Sequence, residues 1–494
     1  MEMPPLVVSM KSPIVTLLVA ALMFGTVQAQ APLDLNLPDL GEPADVALSP
    51  KAGMRLGKQI VGEMYQANYI VNDPQLATFL NAIGWRLAHY GSPNPPDFHF
   101  YPIADNDINA FALPGASIGV NVGTIVAATN ESELAAVMAH EEAHVTQRHI
   151  ARSANQSPID SIATWAAILA AIIAARGSAN AVLGGLLAGQ SINAQREINY
   201  TRGHEMEADR IGIRTLAKAG FDPMAMADFF SKLQQQTRLY GSVPQLLLDH
   251  PVNTTRIAEA TERAAQYPTK RPPYSVEFDL MQARGRVLET DLPNDAVSYF
   301  ASVLEAGHDT PGNRYGYAMA LQQLSENQKA LTALQPLLKR YPKQRNVELL
   351  QAQLLLSAGQ TQQALQVNRQ VLADNPAYAP AILQSADALI QSGQPQRARE
   401  ILLSHTQSYI TNPDTYRLLA RAARAVGDTA EAAYQMANYL SIRGDKLGAL
   451  DQINAGLSFA SISPDARARL RAKRQELIAS IPPRALREHQ QSRG

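Results

Sequence analysis

The residues of this sequence that could do chemistry together begin with one short run, HEEAH, from His140 to His144. Side chains four residues apart lie one above the other on a helix, so the two imidazoles can converge on one metal ion. Glu141 can reach a water held at that point and accept its proton. The run therefore predicts a hydrolytic metal site. Glu142 projects away from it at helical pitch and is expected in solvent.

Two histidines do not complete a zinc site, so a third ligand is required. The segment HEMEADRIGIRTL predicts an amphipathic helix on which Glu205 and Asp209 lie four residues apart on one face. One carboxylate can bind the metal while the other hydrogen-bonds a ligating histidine, and the spacing does not assign the two roles. Because the chain has no cysteine, disulfides, thiol nucleophiles and iron–sulfur clusters are excluded.

A helix must hold the HEEAH run in place. Asn130 can cap a helix that starts at the next residue and continues through Arg148, with apolar residues at helical spacing. On that helix His149 would lie about 140° round from His144 and is expected to point away from the metal. His204 is likewise expected to point elsewhere.

HEEAH, the later EMEAD and the upstream NAFALPG together resemble the gluzincin metallopeptidases of the HtpX and CAAX-prenyl-protease family. The resemblance implies that His140, His144 and Glu205 hold one Zn²⁺ per chain and that Glu141 is the general base. It assigns Asp209 to the position of a proton donor. A role for Asp209 in orienting a ligating imidazole stays open beside it.

The same resemblance adds two residues further along the chain. His250 and Arg256 match a family segment in which the histidine can serve as a fourth zinc ligand, which would displace the attacking water and hold the enzyme latent. The alternative for His250 is a histidine packed in a loop. Arg256 either steadies the oxyanion or pairs with an acid.

Between Phe98 and Val126 the apolar pattern changes to period two, which predicts a strand or hairpin. In gluzincins an edge strand beside the active-site helix takes up the substrate backbone by β-addition. The residues expected to do this are Ala116, Ser117, Ile118, Gly119, Val120, Asn121 and Val122. The alternative is a buried strand in the sheet interior.

The second half of the sequence is a repeat with a period of 34 residues. Alanine recurs at positions 296, 330, 364, 398, 432 and 466, and the same interval separates Gly359, Gly393 and Gly427. This period and pattern resemble tetratricopeptide repeats, in which the glycine ends the first helix of each pair. The concave face of such a solenoid binds extended segments or partner proteins.

Two apolar stretches bear on localisation. Lys11 and the apolar run from Ile14 to Phe24, followed by small-residue cleavage points after Ala29 or Ala31, predict a cleavable signal peptide and export to the periplasm. The alternative is an uncleaved anchor. Ile162 to Ala175 is too short for a bilayer core, which needs about 20 apolar residues. It is a core helix, a peripheral membrane contact or a lid over the cleft.

We therefore expect a mainly α protein, with an α+β gluzincin domain that has a small β-sheet, followed by an α-helical tetratricopeptide solenoid. The expected boundaries are 1–29 for the signal peptide, 30–270 for the zinc peptidase, 275–480 for the repeats and 481–494 for a polar tail. The balance of 43 basic and 44 acidic residues disfavours nucleic-acid binding.

The whole arrangement resembles the periplasmic, repeat-bearing branch of the family. That resemblance implies an endopeptidase for misfolded or stalled outer-membrane proteins. Its repeats would dock to the outer-membrane β-barrel assembly machinery and support assembly in a chaperone-like way. The alternative is a repeat adaptor whose protease domain is silent or latent.

Overall fold

The computed structural model describes residues 48–156, 202–240, 243–268, 273–406 and 412–492. The predicted signal peptide at 1–29 and the apolar stretch at 162–175 lie outside these described residues. Across the described ranges the fold is mainly α with one three-stranded sheet, as predicted. In those same ranges, no helix has both the length and the apolar character that a bilayer crossing needs.

The N-terminal part, residues 50–264, contains the sheet and the HEEAH helix. Its elements are α1 (Pro50–Gln66), α2 (Pro74–Gly91), β1 (His99–Ile103), β2 (Ala110–Leu113), β3 (Ser117–Asn121), α3 (Val122–Ala127), α4 (Glu131–Thr146), α5 (His149–Gln156), α6 (Arg202–Ala219), α7 (Ala225–Tyr240), α8 (Gln245–Asp249) and α9 (Thr254–Ala264).

The strand order β1-β3-β2 corrects one expectation. Strand β3 pairs with β1 in parallel and with β2 in antiparallel orientation, and all five of its residues are buried. Its backbone has no free side, so the prediction that residues 116–122 form a substrate-binding edge strand is wrong. Gly119 lacks a side chain because the ring of Phe111 covers it, with Cζ only 2.5 Å from where a Cβ would stand. Strand β2 is an edge strand and contacts α4.

Helix α4 is buried on every side. Asn130 caps it as predicted, its Oδ1 accepting a hydrogen bond of 3.0 Å from the backbone N–H of Glu133. The helix lies among α2, α6, α7 and the sheet, and all residues from Ser132 to His144 are buried. A helix in this position has no solvated face, so even its polar side chains lie in the interior.

The described residues of the repeat part, 276–406 and 412–491, contain helices and no strand. They are α10 (Val276–Glu289), α11 (Pro293–Glu305), α12 (Pro311–Gln323), α13 (Asn327–Arg340), α14 (Arg345–Ser357), α15 (Thr361–Asp374), α16 (Ala379–Gln391), α17 (Pro395–Thr406), α18 (Pro413–Ala425), α19 (Thr429–Ile442), α20 (Lys446–Ser458), α21 (Pro464–Ser480) and α22 (Pro483–Gln491).

The period of 34 residues has a direct backbone counterpart. Gly359, Gly393 and Gly427 have φ of 76°, 75° and 81°, the left-handed conformation that ends a helix. Ser325, one period earlier, has φ of 60° and occupies the same position without a glycine. The repeating alanines at 296, 330, 364, 398 and 432 are all buried, which lets paired helices approach closely.

The repeat part packs directly against the N-terminal part. Arg284 on α10 is buried and donates from Nε to both carboxylate oxygens of Asp73 at 2.8 and 2.9 Å. Its Nη1 donates to the Tyr315 hydroxyl at 2.7 Å. Further along, a Cβ on Gly62 of α1 would stand 2.8 Å from the Cα of Gly444, so the two backbones are in contact.

Candidate metal centre

Four side chains that can bind a metal meet in the interior of the N-terminal part. His140 and His144 come from α4, Glu205 from the first turn of α6 and His250 from the residue after α8. One ligand atom from each lies within 4.8 Å of all the others, and each residue is at most 4% exposed. The structure therefore brings together all four residues that the sequence and its resemblance proposed as ligands.

The distances between these atoms suit a four-coordinate ion. Nε2 of His140 lies 3.0 Å from Nε2 of His144, and the two oxygens of Glu205 lie 3.5 Å from one imidazole each. Nδ1 of His250 is 3.4 Å from Nε2 of His140 and 3.1 Å from Oε1 of Glu205. Ligands bound tetrahedrally to zinc lie about 3.3 Å apart. The imidazole and carboxylate donors and their spacing both fit such a metal.

Packing between α4 and α6 brings the carboxylate to the histidines. Gly212 of α6 lies against α4, where a Cβ would stand 3.4 Å from the backbone nitrogen of His140. The absence of a side chain lets the two helix backbones approach closely. The loop that carries His250 is held separately, because Asn109 donates to Asp249 at 3.0 Å and the Leu246 N–H donates to the Ile108 carbonyl.

Asp209 and Arg256 surround the cluster on the outer side. Oδ1 of Asp209 lies 3.0 Å from Nδ1 of His140, the ring nitrogen that faces away from the cluster. Arg256 donates to both oxygens of Asp209 at 2.7 and 2.8 Å, and its Nη1 lies 2.9 Å from Glu205. Of the two alternatives for Arg256, pairing with acids is thus the contact that the structure contains.

The carboxylates control the charge of the cluster. Burial disfavours the charged imidazole of His140, but Asp209 and Glu205 outweigh it and raise the pKa to about 10. Burial also opposes ionisation of Glu205, yet His250 and His140 hold its pKa well below the usual range. Hydrogen bonds from His140 and Arg256 likewise overcome burial and lower the pKa of Asp209. Both carboxylates are therefore ionised at neutral pH.

Glu141 and His144 respond mainly to burial. Burial raises the pKa of Glu141, while the nearby imidazoles of His250 and His140 oppose that shift. Nε2 of His250 lies 3.5 Å from Oε1 of Glu141, so this carboxylate faces the cluster. Burial and the same two imidazoles lower the pKa of His144 well below its usual value. His144 is therefore neutral, the form in which imidazole binds metals.

Known proteins match both parts of this chain. A model of peptidase family M48 matches residues 74–264, and a tetratricopeptide repeat model matches 355–422. The β-barrel assembly-enhancing protease of Yersinia pestis is 32% identical over 468 residues, which cover 91% of this chain and 95% of that protein. The chain belongs to the family of β-barrel assembly-enhancing proteases.

Further relatives agree with this assignment. The β-barrel assembly-enhancing protease of Escherichia coli K12 is 35% identical over 336 residues, which cover 67% of this chain and 69% of that protein. The mitochondrial metalloendopeptidase OMA1 of Schizosaccharomyces pombe is 30% identical over 174 residues, or 35% of this chain and 49% of that protein. As a member of this family, the chain is a metalloendopeptidase, and the family implies a metal cofactor.

One histidine of this family member lies where the sequence did not place it. Helix α4 ends at Thr146, and Arg148 takes φ of 55°, so the chain turns before α5 begins at His149. His149 is buried, and its Nδ1 lies 2.8 Å from Nδ1 of His144. The prediction that it points away is wrong because the helix does not continue. No glycine or proline marks the break, so the sequence carries no signal for it.

One further expectation, that for Glu142, also fails in this protein. Glu142 is only 4% exposed rather than solvated, and burial raises its pKa well above the usual value. The ring of His204 stacks on that of His149, with centroids 4.3 Å apart and planes at 16°. Burial lowers the pKa of His149 to about 4 in spite of the neighbouring Glu207, so His149 is neutral at neutral pH.

Proposed function

We propose that this protein is a periplasmic zinc endopeptidase that cleaves misfolded or stalled outer-membrane proteins. The observation that carries the proposal is the buried cluster of His140, His144 and Glu205, with Glu141 facing it. The names of the relatives associate the family with β-barrel assembly. The predicted signal peptide supports export, and the repeats support docking to the assembly machinery and a chaperone-like role.

The chain's own residues divide the chemical work among them. His140, His144 and Glu205 hold one zinc ion, which when bound polarises the scissile carbonyl. Glu141 accepts the proton of the attacking water and passes it to the leaving amine. Burial raises the pKa of Glu141, which makes its carboxylate a stronger base. Asp209 orients His140 through Nδ1.

The edge strand β2 is the better candidate for substrate binding. It lies beside α4, and within the described part of the chain it pairs with β3 on one side and with no strand on the other. An extended substrate segment can add to its other side by backbone hydrogen bonds. Specificity would then depend on an unfolded, extended chain more than on particular side chains.

A latent protease that acts as an adaptor is the second candidate, and His250 favours it. Its Nδ1 takes a fourth ligand position, and its Nε2 lies 3.5 Å from Glu141. With a metal bound, the imidazole in that place would exclude a water from both the ion and Glu141. Cleavage would require the loop that carries His250 to move away.

Replacing Glu141 with glutamine distinguishes the two candidates. The variant keeps the size of the side chain and all four ligands but cannot accept a proton. Purified wild type and variant are assayed for cleavage of an unfolded outer-membrane protein and, in cells, for rescue of outer-membrane assembly. Loss of both cleavage and rescue supports the endopeptidase, whereas full rescue by the inactive variant supports the adaptor. Metal analysis of wild type should find about one zinc per chain.

A further inference from the structure

His144 makes a contact on the side of its ring that faces away from the cluster. Its Nε2 is the cluster atom, and its Nδ1 lies 2.8 Å from Nδ1 of His149. On the far side of His149, Nε2 lies 3.1 Å from Oε2 of Glu207. Arg152 also contacts Glu207, at 3.2 Å. A row of contacting side chains therefore connects a surface ion pair, Arg152 and Glu207, to the candidate metal centre.

These contacts favour one tautomer of each histidine. A carboxylate can only accept a hydrogen bond, so the contact with Glu207 requires a proton on Nε2 of His149. Within a neutral imidazole the other nitrogen is an acceptor, so Nδ1 of His149 accepts from a proton on Nδ1 of His144. That tautomer leaves the lone pair of His144 on Nε2, where it faces the cluster.

We infer that His149 is a positioning residue for His144 and that Glu207 anchors it. The role parallels that of Asp209, which contacts Nδ1 of His140 directly. Here the carboxylate acts through an intervening imidazole. Outer partners of this kind fix the tautomer and the ring orientation of a metal-binding histidine.

Several features hold His149 in place for this task. Its side chain is fully buried, and the ring of His204 stacks on it. The left-handed turn at Arg148 directs it back toward α4, which a continuous helix would not do. Glu207 lies on α6, the helix that also carries Glu205 and Asp209. Helix α6 thus supplies Glu205 to the cluster and Asp209 to His140. It also supplies Glu207, which reaches His144 through His149.

The test is zinc affinity, measured on the full chain by competition with a chromogenic chelator. His149→Phe keeps the volume of the ring but removes the acceptor, and we expect the zinc Kd to rise by about ten- to a hundredfold. His149→Asn places an amide oxygen near the position of Nδ1 and should recover most of the affinity. A purely structural role predicts the opposite ranking, because phenylalanine fills the space better.

His489→Phe is the matched control. His489 also pairs with a carboxylate, that of Asp451 at 3.0 Å, but it lies on α22 in the repeat part. Its loss should leave the zinc Kd unchanged. The inference rests on the proposed zinc site, and zinc binding by wild type distinguishes failure of the proposed function from failure of the inference. If wild type binds no zinc, the proposed function fails. If wild type binds zinc and His149→Phe binds it equally well, the positioning role is refuted.

A second variant tests the inference if His149→Phe does not fold properly. A lower melting temperature of the metal-free protein would reveal such a defect. Glu207→Ala removes the anchor, and the side chain of Glu207 is partly exposed, so the variant should fold. We expect its zinc Kd to rise several-fold, with the metal-free melting temperature close to that of wild type. An unchanged Kd in this variant also overturns the inference.

Discussion

Replacing Asp209 with asparagine should weaken metal binding, because Asp209 contacts His140, one of the proposed metal ligands. Its Oδ1 lies 3.0 Å from Nδ1 of His140, opposite the Nε2 that faces the cluster. Its remaining contacts go to Arg256. An ionised carboxylate in this position is an acceptor and has no proton to give to a leaving group.

The contacts set the size of the effect. Asparagine offers one acceptor oxygen and one NH₂ group where aspartate offers two acceptors. If its oxygen faces His140, its NH₂ meets a donor of Arg256, and if it is turned the NH₂ meets Nδ1 of His140. With the amide oxygen in the place of Oδ1, one charge-assisted hydrogen bond is lost, that from Nε of Arg256. With the amide turned, two are lost, because Oδ1 faces both His140 and Nη2 of Arg256. Each is worth about 1.5–3 kcal/mol. Where the loss falls on His140, the zinc Kd rises by about ten- to a hundredfold.

The assay pairs zinc affinity with turnover at saturating zinc. For an orienting residue we expect a higher zinc Kd and a substantial recovery of kcat once the metal site is filled. A proton donor predicts the reverse, with an unchanged zinc Kd and a low kcat at every zinc concentration. That second result would refute the reasoning. Arg256 keeps Glu205 as a partner at 2.9 Å, so the variant should remain folded.

Three other predictions concern latency, the interface and the metal. His250→Ala should increase cleavage of an unfolded substrate while zinc stays bound, and unchanged or lower activity would contradict the latch. Arg284→Met should lower the free energy of unfolding in urea by about 3–5 kcal/mol, because it leaves Asp73 charged and unpaired in the interior. Adding Asp73→Asn should reduce that loss, and a single-variant loss under about 1 kcal/mol would argue against a buried charge. Removing metal with a chelator should lower the melting temperature of wild type and of Glu141→Gln equally, since ligand binding stabilises the folded state.

The parts that the sequence predicts best depend on local periodicity. His140 and His144 meet because four residues make about one helical turn, and their Nε2 atoms indeed lie 3.0 Å apart. The interval of 34 residues predicts the repeat, and its glycines have the expected positive φ. These features follow from short-range geometry, which a single sequence records directly.

The parts that it misses depend on contacts between distant segments. The period-two pattern identifies Ser117–Asn121 as a strand but cannot show that β1 occupies the side left free by β2. Helical pitch gives Glu142 a direction, but its burial comes from elements that pack around α4. Periodicity along the sequence does not show which other strand or helix packs against a given face of an element.

His149 shows the same limit at a functional position. Its direction changes because one residue, Arg148, leaves the helical region, and the new direction is stabilised by Glu207, which is 58 residues away in sequence. The conformation at Arg148 costs roughly 1 kcal/mol for a residue with a side chain, since left-handed backbone is disfavoured there. Contacts of His149 with His144, Glu207 and His204 must offset that cost. The contacts of His149 therefore stabilise the turn at Arg148. They form only when α4 and α6 pack together, so the sequence near Arg148 does not reveal them.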